Sequence, residues 1–203
     1  MIRHITMPLL IALLLTGCSL PSRTPSTMTY TLAVEPSVCS VDADGPVIEV
    51  ATPVASPGFS TTGMAYREQP FELAYFAFSE WAAPLPKMLQ PLLVEALESA
   101  GLFSAVLDSS QRLPADLRLQ TRLLYLIHDF RRDTSRLELA LRVQVVDVAS
   151  GEIIANRILR TSEPAPTDDA YGGVVAANRA LERLLPQVVQ LSRTGLKPLQ
   201  KTD

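Results

Sequence analysis

Between residues 116 and 161 the chain alternates apolar and polar side chains in three successive runs. A period of two is the signature of strands with one buried and one wetted face. In the first run Leu117, Leu119, Thr121, Leu123, Tyr125 and Ile127 share a face, against Arg118, Gln120 and Arg122. In the second, Leu137, Leu139, Leu141, Val143 and Val145 alternate with Glu138, Arg142 and Gln144. Arg131 to Ser135 is a polar turn between them, and Ser150-Gly151 leads into a third run, Ile153 to Thr161. The expectation is an antiparallel meander whose apolar face needs a covering layer.

Two stretches of helical period supply that layer. Over residues 84–100, Leu85, Met88, Leu89, Leu92, Leu93, Ala96 and Leu97 recur at steps of three and four, and Gly101 supplies the stop. After the break Glu163-Pro164-Ala165-Pro166, Thr167 or Asp168 is expected to cap a helix from about Asp169 to Ser192. Its stripe is Val174, Ala177, Leu181, Leu184, Leu185, Val188 and Leu191. Pro91 falls inside the first stripe and predicts a kink, and Pro186 inside the second predicts a kink or two helical pieces. Shorter strands are expected at Tyr30–Val34, Val47–Val54 and Phe103–Leu107, with a hairpin pairing Met64–Arg67 and Phe71–Phe76. The fold class is therefore α+β, a mainly antiparallel sheet with two principal helices packed on one face.

The first residues do not read as part of that fold. Arg3 and His4 precede an unbroken apolar run from Pro8 to Leu15, too short for a span of about 20 residues but long enough for a signal-peptide core. Leu15-Thr16-Gly17-Cys18 then has the form of a lipoprotein cleavage box. Residues 1–17 are expected to be removed and Cys18 to carry the acyl chains, several of which hold a membrane far more durably than one. Ser19, rather than Asp, follows the cysteine and favours the periplasmic face of the outer membrane over inner-membrane anchoring. Residues 18–28 form the lipidated cysteine and a Ser-, Thr- and Pro-rich tether, able to reach up to roughly 30 Å from the lipid. A domain over 29–195 and a short tail, 196–203, complete the organisation. With Cys18 acylated, Cys39 is the remaining thiol, either buried and inert or available for an intermolecular bridge.

Catalytic chemistry is hard to build from this inventory. A net charge of −3 carries no nucleic-acid footprint. Past the leader only His128 remains among histidines, no Gly-x-Ser-x-Gly elbow accompanies it, and it reads as a hydrogen-bonded or solvated strand residue beside Asp129. One His and one Cys do not make a zinc site, and no phosphate-binding loop of the Walker type occurs. No catalytic residue, metal or cofactor is assigned. Asp168-Asp169 is explained by helix capping, Arg131-Arg132 by a solvated turn, and Gly172-Gly173 by close packing. The aromatics are more informative: Phe71, Tyr75, Phe76, Phe78 and Trp81 fall within eleven residues. Tyr75, Phe76, Phe78 and Trp81 are candidate partner-binding residues, with Trp81 the first choice of anchor.

Several short motifs then resemble the ABC-type transport auxiliary lipoprotein family. They are Tyr30-Thr31-Leu32 and Met64-Ala65-Tyr66-Arg67, then Phe71 to Phe76 leading into Glu80-Trp81-Ala82-Ala83-Pro84. The helix containing Met88-Leu89 and Leu92 to Leu97 follows, and later Ala170-Tyr171-Gly172-Gly173-Val174 with Ala177-Asn178. The resemblance implies a non-catalytic lipoprotein working with an MCE-domain (MlaD-like) protein, an ABC permease and its ATPase, moving lipid between two membranes. It also implies a possible homo-oligomer. A lipid-binding module, or an assembly lipoprotein for lipopolysaccharide or outer-membrane β-barrels, stands as the alternative; a sequence that is 47% hydrophobic permits an enclosed acyl chain.

Overall fold

The computed structural model of the protein describes residues 26–34 and 45–196. The leader, Cys18, most of the tether, Cys39 and residues 197–203 lie outside the described residues.

Nine strands form one mixed sheet. They are β1 (Met28–Tyr30), β2 (Val47–Val50), β3 (Val54–Ala55), β4 (Gly63–Arg67), β5 (Ala74–Trp81), β6 (Ala105–Asp108), β7 (Leu117–Asp129), β8 (Arg136–Asp147) and β9 (Ile153–Pro164). The helices are α1 (Leu85–Ser99) and α2 (Ala170–Ser192), followed by a single 3-10 turn, Arg193–Gly195. The expected α+β architecture is present. The meander β7–β8–β9 pairs antiparallel over almost its whole length.

The other edge of β7 departs from expectation. Three short strands lie end to end along it, all parallel to it: β2 at Leu117–Leu119, β3 at Arg122–Leu123 and β4 at His128–Asp129. β6 extends the sheet beyond β2, and β5 then β1 extend it beyond β4. The sheet is thus partly parallel. Each parallel strand returns to β7 through a long connection, and local periodicity does not encode which distant edge a strand will join.

Both helices cover one face. Leu117, Leu119 and Leu123 of β7, Leu137 to Val145 at alternate positions of β8, and Ile48 and Val50 of β2 point into the core. α2 lies over β8 and β9, and α1 over β2, β3 and β6. Asp169, one residue past the expected caps, is the N-cap of α2. Its Oδ1 accepts from the Gly172 N–H at 2.7 Å and from the Thr167 hydroxyl at 2.8 Å. These bonds, that of Gly172 first, hold its carboxyl below the ordinary value. Both helices run through Pro91 and Pro186 without interruption. Gly101, at φ +63°, follows α1 in the conformation a helix-ending glycine supplies.

A bulge overturns one part of the sequence reading. Leu123 pairs with Leu141 and Tyr125 with Ala140, so Leu124 is an extra residue. The insertion inverts the alternation beyond it. Leu126 and His128 join the helix-covered face, and Tyr125 and Ile127 move to the opposite one.

Candidate partner-binding surface

β5 lies between β4 and the edge strand β1, and its aromatic residues divide between interior and surface. The cause is the register of the β4–β5 hairpin. From the pair Gly63–Glu80 to the pair Ala65–Tyr75, β4 advances by two residues and β5 by five. Strict alternation is lost within β5, so neighbouring aromatics need not follow a simple in-out pattern.

Trp81 is 1% exposed and belongs to the core. Its backbone N–H donates to the Thr62 carbonyl at 2.8 Å, and Tyr30 pairs with it across β1. This corrects the expectation of an exposed indole anchor: at the end of β5 the ring fills space four residues ahead of α1. Phe76 is half-buried. Its ring lies 4.8 Å from that of Tyr66 and 6.3 Å from those of His128 and Phe130.

Tyr75 and Phe78 do reach the surface, 42% and 53% exposed. Tyr75 is fixed nonetheless. Its hydroxyl donates to the Gly58 carbonyl at 2.9 Å, and its ring lies so close to Gly63 that an added Cβ would sit 2.7 Å from Cδ1. Met28 on β1, and Phe71 and Leu73 at the hairpin, are further exposed apolar side chains of this edge. Phe71 is fully exposed and holds a φ of +65°, a conformation that non-glycine residues adopt at a cost. The turn is organised by Glu72, whose Oε2 accepts from the N–H groups of Glu68 and Gln69 at 2.8 and 2.9 Å. The result is an apolar rim on a hairpin whose turn and Tyr75 are held by hydrogen bonds, the arrangement expected of a contact surface. Among these residues, the exposure of Phe71 was missed by sequence reasoning that treated it as the first residue of a strand.

His128 and Asp129 are tied into the fold by their neighbours. His128 Nε2 lies 2.9 Å from Ser135 Oγ, while an added Cβ at Gly173 would stand 2.8 Å from Nδ1. Burial pushes its pKa down, opposed by Asp168, Asp169 and Asp129. Asp129 accepts from the Arg131 Nε at 2.9 Å and Nη2 at 2.6 Å, and from Arg67 Nη2 at 2.7 Å. The Arg131 bonds above all, then those of Arg67, hold the Asp129 carboxyl far below the usual carboxylate range. Arg67 also bridges to Glu138 at 2.6 Å. Arg131 is therefore committed to Asp129 rather than left in a free turn. Among the described residues no group of three His, Cys, Asp or Glu side chains is placed to hold a metal ion. Among them, too, no helix is long and apolar enough to cross a membrane.

The sequence model of a family described as the ABC-type transport auxiliary lipoprotein component matches residues 30–189. The uncharacterised protein bll6063 of Bradyrhizobium diazoefficiens is 30% identical over 117 residues, which is 56% of this chain and 30% of that protein. This chain thus spans under a third of the length of the curated relative it matches. Among solved structures, protein XCC0632 from Xanthomonas campestris superposes with a TM-score of 0.76 at 21% identity, covering 86% of this chain and 100% of that one. The hypothetical protein CT253 from Chlamydia trachomatis gives a TM-score of 0.50 at 13% identity, covering 75% and 97%. At these identities the likeness is one of fold.

Proposed function

The chain belongs to the ABC-type transport auxiliary lipoprotein family, and we propose that it is the non-catalytic, outer-membrane-anchored subunit of an MCE-type lipid transporter. Family membership makes it a lipoprotein that accompanies an ABC transport system. The finer reading is that acyl chains on Cys18 hold it at the periplasmic face of the outer membrane. The tether lets the domain reach inward, and the rim of Tyr75 and Phe78 meets an MCE-domain (MlaD-like) protein served by a permease and an ATPase. The observation that carries this reading is the exposed aromatic edge, with Tyr75 held outward by its bond to Gly58. Fixed, amphipathic rings give contact area at little entropic cost.

Photo-crosslinking from position 75 or 78 in intact cells, followed by mass spectrometry, tests it. Recovery of an MCE-domain protein together with its permease and ATPase is the expected result. Recovery of an outer-membrane β-barrel in their place would replace this reading with that of an assembly lipoprotein.

One observation favours a second reading, direct lipid binding. A groove of about 420 Å³ lies between the helices, lined by Val34, Leu92, Ala96, Leu185, Pro186 and Val189 with Glu95 and Glu182 beside them. Its size falls within the range of small-ligand sites. Native mass spectrometry of mildly purified protein would show a phospholipid adduct if the groove is filled in the cell.

A further inference from the structure

The face of the sheet opposite the helices carries an arrangement that the family reading leaves unused. Residues paired across neighbouring strands present their side chains on the same face. Arg122 of β7 stands directly across from Arg142 of β8, and Arg142 from Ile158 of β9. Arg160 lies in the adjoining row, opposite Ala140 and Tyr125. Arg122, Arg142 and Arg160 are exposed, and among the described residues none of them forms an ion pair. The carboxylates that the register places on this face are already occupied: Asp129 by Arg131 and Arg67, Glu138 by Arg67, and Glu49 by Arg118 at 2.8 Å.

Like charges placed directly across a pair of strands oppose sheet formation. Here they stand without counter-charges in a chain whose net charge is −3. All three are arginine, whose planar fork matches phosphate oxygens, rather than lysine. One end of the same face is apolar. Ile153 of β9, which pairs with Val146, and Val148 in the following turn are exposed. Leu113 is exposed three residues before Asp116, whose carbonyl accepts the Val148 N–H at 2.9 Å. Ala140 and Ile127 on this face are buried, but the arginines around them are exposed, and a cationic stretch ending in exposed aliphatic side chains combines the two attractions that hold proteins on anionic bilayers.

We infer that the exposed arginine stretch of this sheet face is a landing surface for anionic phospholipid headgroups, with Arg122, Arg142 and Arg160 contacting phosphate and Leu113, Val148 and Ile153 entering the headgroup boundary. The inference stands apart from the aromatic rim and holds whichever protein that rim meets. It makes the domain's orientation on the membrane a property of the sheet as well as of the tether.

The test uses the full chain reconstituted on nanodiscs of phosphatidylcholine alone, or of an equal mixture with phosphatidylglycerol. Arginine modification by phenylglyoxal is followed residue by residue with peptide mass spectrometry. Arg122, Arg142 and Arg160 should react about fivefold more slowly on the anionic discs, in line with the attraction of one basic side chain to an anionic surface. High salt should erase the difference, and Arg179 in the helix layer should not change. Equal rates on the two discs overturn the inference. Protection that appears only when a transport partner is added also overturns it, and identifies an acidic protein surface as the occupant instead. The double variant Arg122→Gln, Arg142→Gln removes a repulsive pair and should fold at least as well as the wild type. In that variant Arg160 should lose its protection on anionic discs; retained protection counts against a shared surface.

Discussion

Trp81 and Tyr75 lie on the same strand and do opposite things. The indole is sealed in the core, and the phenol is held outward by the Gly58 carbonyl. Trp81→Ala should therefore lower stability by about 3–5 kcal/mol, read as a fall in the urea midpoint. Tyr75→Ala and Phe78→Ala should each shift stability by no more than about 1 kcal/mol while abolishing the partner crosslink. If Trp81→Ala left stability unchanged, its assignment to the core would be wrong. His128 makes a second residue-level prediction. Burial holds its folded pKa below the ordinary 6.5, so an unfolded chain takes up the proton first as pH falls. Stability supplied by the neutral ring is complete above that value and is lost as pH drops toward the folded pKa. The urea midpoint should fall between neutral and mildly acidic pH, and His128→Gln should flatten that dependence. In the sequence His128 could be recognised as structural by the company it lacks, with no nucleophile elbow and no metal-binding partners. The ring against which Gly173 packs could not be named, because the two are 45 residues apart.

Among the elements, α2 and β7 show how closely the layers approach. Gly173, the fourth residue of α2, packs on the sheet, its missing Cβ leaving room for the His128 ring. Gly173→Ala gains about 1 kcal/mol of helix propensity, yet the added methyl must displace His128 or lift the helix. The net expectation is destabilisation by about 1–3 kcal/mol, seen as a lower midpoint of thermal unfolding. A midpoint equal to or above wild type would show that the contact relaxes freely. Helix positions were legible because amphipathic stripes at steps of three and four persist through Pro91 and Pro186. Both helices remain continuous through their prolines, so Pro186 does not divide the second into two pieces. The bulge at Leu124 left no comparable trace. One inserted residue in a Leu-rich run changes no composition, yet it moves Tyr125 and Ile127 to the other face.

At the scale of the whole molecule, the Asp129 cluster joins distant parts of the chain. Arg67 of β4, Asp129 of β7, Arg131 of the following turn and Glu138 of β8 meet in one network. The strongly depressed Asp129 pKa fixes the sign of its pH effect. The stabilisation is complete above the unfolded carboxylate pKa, about 3.9, and is lost as pH falls through the lower folded value. Acid unfolding of the wild type should steepen below that point. Asp129→Asn should lower stability at neutral pH, by on the order of 3 kcal/mol for a broken partly buried pair, and should show a shallower acid limb in circular dichroism. A variant as acid-sensitive as the wild type would remove Asp129 from the account.

By itself the sequence determined the meander, the two covering helices and the face that each conceals, because strand and helix periods are local properties that burial must respect. It also carried the family motifs. The tertiary structure decided which partners long-range pairing would join. It set β2, β3 and β4 parallel along one edge of β7, inverted that strand's faces at a bulge, drew Trp81 inward, and placed Arg122 across from Arg142. Each of these depends on register between segments far apart in the chain, and register is fixed by the packing of the completed sheet rather than by the residues of any single strand.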